Sequence, residues 1–507
     1  MWDQVTRGLS LFRTYVNFDF GVTNGLDANY FVSDFVNPNS KDSAGIAARP
    51  GNTPILAYNV QTWDTYSDQQ QAWIVLHELG HTLGLRHPVN LPAGLDYSQY
   101  TIMSYNWFDL GDFEFGEGLP LTPMALDIGL LQARYGAAST NIGDTRYTLS
   151  RFTVDLDGSD GVVQNGAGYI CIWDSAGNDT LTYGGFSNVV FNLNAATLQT
   201  VAYTGDLADV IADVVATSRT FAGFSAFAKA EITDPVRTAG GFFSSFLEGN
   251  AREPGGYTIA NGARIEAASG GSGDDLIVGN ALDNWLLGNN GKDELYGGSG
   301  NDSLNGGAGD DRVFGGFGSD TLADSGGGSN YLRGDEGNDS ISDGPGFDDI
   351  NGNAGDDTCI STVGDDWIVG GRDNDSLVGG TGANLVYGNL GNDTCDGGDG
   401  ADTIRGGQGE DVCRGGAGDD YVSGDKGDDT MSGGAGADIF HTFGDAGLDR
   451  VLDFNLAQGD RVQVDPGTQY TLAQVGTDTV ISMTGGGQMI LVGVAMSSLT
   501  GAWIFGA

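Results

Sequence analysis

The side chains in this chain that could do metal chemistry are few and unevenly placed. Four histidines occur in 507 residues, and three of them, His77, His81 and His87, fall within "WIVLHELGHTLGLRHP", residues 73–88. Imidazoles at i and i+4 lie one turn apart on the same helix face, so His77 and His81 can share one ion. A glycine at 84 ends such a helix and lets the chain turn back, bringing His87 in as a third ligand. Three protein ligands leave the fourth corner of a tetrahedral site open, and zinc held this way lowers the pKa of its water to about 7. Glu78, next to the first ligand, is then placed to take the proton as general base. The spacing therefore predicts one catalytic Zn2+ and hydrolysis at neutral pH.

A second set of potential ligands is regular over a much longer distance. Aspartate recurs every nine residues at Asp275, Asp293, Asp302, Asp311 and Asp320. After one extra residue it continues at Asp339, Asp348, Asp357, Asp366, Asp375, Asp393, Asp402, Asp411, Asp420, Asp429 and Asp438. Asn284, Asn330 and Asn384 fill the gaps in the register, keeping an oxygen while losing the charge. Two places after each of these positions, from Ile277 to Phe440, the residue is always apolar. Glycines precede each acid, as in "GGSGNDSLN" and "GGAGDDYVS", and glycine turns expose carbonyls that join carboxylates as hard oxygen ligands for calcium. Residues 270–438 carry 34 acidic against 7 basic side chains, so metal-free turns repel one another. Several structural Ca2+ ions are thus expected as folding partners, with the segment largely disordered without them.

The elements that must hold these groups can be read from periodicity. "YVNFDFGV", residues 15–22, and "PILAYNV", residues 54–60, are strand candidates of a half-buried sheet. Ser67 and Gln70 form a capping box, after which Ala72, Trp73, Leu76, Leu79 and Leu83 recur at helical spacing until Gly84. The nine-residue period, with one inward apolar residue per unit, predicts a short strand and a turn, two units making one coil of a parallel β-roll of about nine coils. Cys359, Cys395 and Cys413 all occupy the inward position and are expected as buried free thiols stacked on one face. A Cys395–Cys413 bridge between neighbouring coils is the less favoured alternative, because in-register parallel strands present the sulfurs awkwardly.

Composition excludes several partners. With 22 basic and 68 acidic residues the formal charge is −46, which repels nucleic acid and anionic membranes. No apolar run approaches the roughly 18 residues of a spanning helix, so membrane insertion is not expected. The start "MWDQVTRGLS" lacks a basic head with an apolar segment and reads as carrying no N-terminal export address. Twenty-four Phe, 18 Tyr and 8 Trp supply enough apolar surface for a core despite 86 glycines.

"HELGHTLGLRHP", followed by "TIMSY" at 101–105, resembles the metzincin metalloproteases and, within them, the serralysins. The resemblance implies that Met103 forms an apolar floor beneath the zinc and that Tyr105 is a switchable ligand whose hydroxyl helps stabilise the oxyanion. "LTPMALDIGLLQARYG", residues 121–136, is similar to the helix closing the serralysin catalytic domain, with Met124, Leu126, Ile128, Leu130 and Leu131 expected in its core. "YICIWDSAGNDTLTYGG", residues 169–185, resembles the opening of the second domain, with Asp174, Asn178 and Asp179 as implied calcium ligands. The G-G-x-G-x-D-x-U-x unit is identified as the calcium-binding repeat of RTX proteins. About fifty residues, roughly 203–253, have no counterpart in the resemblance; they are rich in Phe and Ala and predict a pair of short helices that either pack on the roll or offer exposed aromatics to a partner. Only 76 residues precede His77, fewer than the resemblance leads one to expect. If the strand that pairs with a peptide substrate were missing, a zinc site would remain with weak proteolysis.

The expected fold class is an α+β metzincin-type zinc protease domain followed by an all-β parallel β-roll. The expected domains are 1–138, catalytic; 139–270, the start of a second β domain with the insert; 271–440, the RTX roll; and 441–507, capping strands with a type I secretion signal. The expected function is a secreted, extracellular, monomeric zinc endopeptidase acting on proteins or peptides, exported by type I secretion machinery. The alternative is a non-catalytic or weakly catalytic RTX surface or adhesion protein.

Overall fold

The computed structural model describes residues 31–35, 45–48, 55–59, 73–77, 79–80, 85, 124–135, 137, 143–149, 153–154, 163–164, 169–199, 201–239, 242, 244–248, 251–252 and 256–506. The chain divides into two compact units, Met1–Asn280 and Ala281–Ala507.

In the first unit, Phe31–Phe35 pairs in parallel and Gly45–Ala48 antiparallel with the central strand Ile55–Asn59. That central strand is the predicted "PILAYNV" element; residues 15–22 and the Ser67 and Gln70 cap lie outside the described residues. Residues 73–77 and 79–80 are helical, with Trp73, Leu76 and Leu79 buried, as their spacing requires. The Leu85 amide donates to the Gly80 carbonyl at 3.0 Å.

The helix predicted within 121–136 runs Ala125–Tyr135. Asp127 starts it by reaching back to accept from the Met124 amide at 3.0 Å. Met124, Ile128 and Leu131 are buried on one face, but Leu130 is 65% exposed, against the expectation that it is core. At about 100° per residue, position 130 points away from the stripe that 124, 128 and 131 share.

The second half of this unit already winds in coils. Arg146–Thr148, Thr180–Thr182 and Ala267–Ser269 pair in parallel, as do Tyr169–Ile172 with Gly256–Ile259 and Val189–Asn192 with Leu276–Val278. The insert forms four helical pieces, not the expected pair: Asp206–Thr217, Arg219–Gly223, Ala226–Thr233 and Pro235–Thr238. Ser218 ends the first and caps the second, its hydroxyl accepting from the Phe221 amide. Val210, Ile211, Val214, Phe221, Phe224 and Phe242 are buried, and the segment then adds strand Ser245–Glu248 antiparallel to Val189–Asn192. These three phenylalanines therefore serve a core, not an exposed binding face.

The second unit is a parallel β-roll. One sheet runs from Trp285–Asn290 to Thr430–Ala435 and the other from Glu294–Ser299 to Ile439–Thr442, with successive strands paired in parallel. Each sheet takes nine strands over this stretch, matching the nine coils expected from the period. In both units together, all nineteen residues at the inward position, from Ile277 to Phe440, are buried to 1% exposure or less. Side chains on a strand alternate, so a single apolar residue per repeat suffices to fill a core between two sheets. Cys395 and Cys413 are register partners on that inner face, and the four cysteines are buried and free. Beyond the repeats, Leu448–Val451, Arg461–Val464, Tyr470–Val475, Asp478–Met483 and Gln488–Leu491 cap the roll. The terminal "WIFG" contributes strand Ile504–Gly506, with Trp503 buried against Phe454.

Candidate metal centres

Of the zinc motif, His77 lies within the described residues. It is 2% exposed and sits one helical turn from Trp73, ring centroids 5.4 Å apart and tilted by 57°. Glu78, His81, His87, Met103 and Tyr105 lie outside the described residues.

The aspartate register can be followed atom by atom. From Asp302 to Asp438 each repeat acid accepts the backbone N–H of the repeat residue one coil earlier: Asp393 N to Asp411 Oδ1 at 2.8 Å, Asp402 N to Asp420 Oδ1 at 2.9 Å, Asp411 N to Asp429 Oδ1 at 2.9 Å. The asparagines keep the ladder, since Asp366 N donates to Asn384 Oδ1 at 2.9 Å. This is the physical reason a one-charge change is tolerated there while the oxygen is retained.

The second carboxylate oxygen has a different fate. Oδ2 of Asp302, Asp320, Asp339, Asp357, Asp375, Asp393, Asp402, Asp411, Asp420, Asp429 and Asp438 is buried without a hydrogen-bond partner. A buried carboxylate oxygen with no donor carries a desolvation penalty of about 1–3 kcal/mol or more, so a row of them calls for cations. The glycines leave the room: a Cβ added at Gly397 would stand 2.6 Å from Asp402 Oδ2 and 2.6 Å from the Gly415 carbonyl oxygen. Carboxylate and main-chain carbonyl thus converge on one small space per turn, which is the hard-oxygen environment that calcium prefers. Gly398 and Gly400 hold φ +98° and +145°, and where asparagine replaces the second glycine, as at Asn353 and Asn389, φ stays at 77° and 80°.

Burial shows in the titration of these groups. In the metal-free roll it pushes Asp302 and Asp375 up to about 8 and Asp411 and Asp420 up to about 7, with the N–H bonds along the ladder opposing the shift. A cation replaces the proton each carboxylate would otherwise keep.

In the first unit, Asp174 and Asp179 are buried and Asn178 is exposed. Asp174 Oδ2 accepts from Tyr147 Oη at 2.7 Å, Asp179 Oδ1 from the Thr145 amide at 2.8 Å, and the Asp179 amide donates to Glu266 Oε2 at 2.9 Å. Burial, with the charges of Asp174 and Glu266, pushes Asp179 up to about 7. Glu266 is eighty-seven residues away along the chain, and no local signal links it to this cluster. Two further acids extend the ladder beyond the repeats: Asp460, whose Oδ1 accepts from Asp438 N at 3.2 Å, and Asp449, which burial pushes up to about 8. The insertions between 438 and 460 break the nine-residue period, which is why spacing did not reveal them. His441 meets Asp465 at 3.1 Å and Ser423 at 3.2 Å and stacks on Tyr421.

Fold and ladder together define a calcium-binding β-roll, and residues 269–322 and 324–442 match the RTX calcium-binding nonapeptide repeat. Part of the chain is also similar to serralysins. It is 34% identical to Serralysin C of Dickeya chrysanthemi over 43% of this chain and 38% of that one. It is 36% identical to Serralysin A of the same organism over 40% and 34%, and 32% identical to Metallopeptidase AprA of Pseudomonas marginalis over 40% and 36%. The chain thus covers well under half the length of these relatives. Among the described residues no helix is long and apolar enough to cross a membrane.

Proposed function

We propose that this chain is a secreted zinc endopeptidase stabilised by calcium bound along its roll. The observation that carries the calcium part is the row of buried, unpartnered Asp Oδ2 atoms facing main-chain carbonyls, repeated coil after coil. The protease part rests on the eleven-residue span of His77, Glu78, His81, Gly84 and His87 together with the likeness to serralysins and a metallopeptidase.

His77, His81 and His87 would hold the zinc, and three imidazoles are a donor set that suits it. Bound zinc supplies Lewis acidity that polarises a scissile carbonyl and acidifies water. Glu78 takes a proton from the attacking water and passes it to the leaving amine. Tyr105 would donate its hydroxyl to the developing oxyanion, and Met103 would form the apolar floor beneath the imidazoles. Asp275 and the other repeat aspartates bind calcium with the turn carbonyls, and Asp174, Asn178 and Asp179 serve a further ion. The substrate is a protein or peptide, and export follows a type I route read from the C-terminal end.

Glu78→Ala tests the proposal. The variant should lose casein cleavage by at least about 100-fold, the scale of general-base catalysis, while keeping its zinc content. A zinc-loaded wild type that cleaves neither casein nor a peptide library would refute it and favour a non-catalytic roll.

A further inference from the structure

Three consecutive turns on one edge of the roll depart from the repeat at the same place. Where other turns have the first glycine of the pair, these carry Asp324, Asp343 and Ser361. That position abuts the repeat acid: a Cβ added at Gly306 would stand 2.6 Å from Asp311 Oδ2, so any side chain there points at the metal-facing oxygen. Two of the three departures are compensated. Asp324 meets Asn330, which stands where the repeat has Asp and donates its Nδ2 to Asp324 Oδ2. Ser361 donates its hydroxyl to Asp366 Oδ2.

The middle turn is not compensated. Asp343 faces Asp348, and with Asp366 of the next coil each contributes an oxygen lying within 4.8 Å of the other two. All three are buried, Asp343 at 6% exposure and Asp348 at 0%, and Oδ2 of both Asp343 and Asp348 has no hydrogen-bond partner. Their other oxygens are used structurally: Asp343 Oδ1 accepts from the Thr362 amide at 2.9 Å and Asp348 Oδ1 from the Asn330 amide at 2.8 Å. Oxygens at that mutual spacing can all bind one ion through bonds of about 2.3–2.6 Å, the calcium range.

We propose that Asp343, Asp348 and Asp366 form a carboxylate-dominated calcium site that holds its ion more tightly than the ordinary repeat turns and fills first. The proposal rests on reading the repeats as calcium-binding and adds to it a distinct ligand, Asp343, that replaces a glycine of the repeat. Calcium affinity in oxygen sites rises with the number of charged ligands, so the extra carboxylate sets this turn apart. The first ion then pins coils in the middle of the roll, from which pairing can spread in both directions.

Trp367 follows Asp366 directly and its ring lies 6.1 Å from that of Phe347, next to Asp348, which makes terbium luminescence a local reporter. Calcium-stripped full-length chain is titrated with terbium under tryptophan excitation, with calcium competition. The first equivalent should give sensitised emission that Trp367→Phe abolishes without changing the number of ions bound. Asp343→Asn, which keeps shape, and Asp343→Gly, which restores the repeat residue, should each require about ten-fold more terbium or calcium for that first step. Equal first-step affinity in wild type and both variants, or first-step emission that survives Trp367→Phe, overturns this site alone. A wild type that takes up neither ion and gains no strand signal overturns the calcium reading of the repeats as well.

Discussion

Asp411, inside the ladder, separates the two jobs of a repeat aspartate. Its Oδ1 accepts from Asp393 N at 2.8 Å, while its Oδ2 is buried without a partner. Asp411→Asn keeps the first oxygen and removes the charge, as nature has done at Asn384; Asp411→Ala removes both. In the metal-free roll, burial raises this carboxyl from 3.8 to about 7. At about 1.4 kcal/mol per unit, keeping it ionised costs at most about 4.5 kcal/mol, reduced by solvent screening. The folded chain therefore binds more protons than the unfolded chain between these two values. Stability from this group is fully present below the unfolded pKa and is lost as pH rises through the folded one. In chelator, wild type should gain strand signal by circular dichroism as pH is lowered from about 7.5 to about 4.5, the window set by these shifts. Asp411→Asn should move that folding midpoint to higher pH, and Asp411→Ala, which loses the same charge but also orphans the Asp393 amide at about 1–3 kcal/mol, should move it less far than asparagine does. With calcium the order changes: both variants should need more calcium than wild type, alanine the most. A chelated roll that becomes more folded as pH rises, or an asparagine variant no easier to fold without metal, would show that these carboxylates are not held under charge repulsion.

Two further outcomes follow from the packing. Ile404 is fully buried between Val386 and Val422 of the adjacent coils, so Ile404→Ala should cost about 2–4 kcal/mol in denaturant titrations of the calcium-loaded chain, against about 0.5 kcal/mol for the neighbouring Thr403→Ala. The four cysteines are free and buried, and burial pushes Cys171 up to about 12, so a thiol reagent should label none in the calcium-loaded protein and all four after unfolding; a missing Cys395 and Cys413 signal after unfolding would reveal a bridge.

How much was legible beforehand differs between the two units. A roll is built from local rules repeated: a strand, a glycine turn, one inward residue and one acid per nine positions. Each coil then contacts chiefly its neighbours, so period alone determined Ile277 to Phe440 as core, the shared inner face of Cys395 and Cys413, and the acid at every turn. The helix expected from the spacing of Ala72, Trp73, Leu76 and Leu79 likewise needs only local periodicity, and the helical residues 73–77 and 79–80 agree with it.

What sequence left open depended on contacts between distant or irregular segments. Leu130 reads as core by type, but the side of the helix facing the unit's interior is set by tertiary packing. The insert offered Phe and Ala without a strict period, and only folding buried Phe221, Phe224 and Phe242. Glu266 joins Asp179 across eighty-seven residues, and Asp449 and Asp460 rejoin the ladder through turns of unequal length. Asp343 was visible as an exception to the repeat, yet its meaning required the space between coils, where its carboxylate meets those of Asp348 and Asp366 and its Oδ2 has no hydrogen-bond partner. Periodicity specifies which way a residue points, whereas the charge it must share is decided by whatever the fold brings opposite.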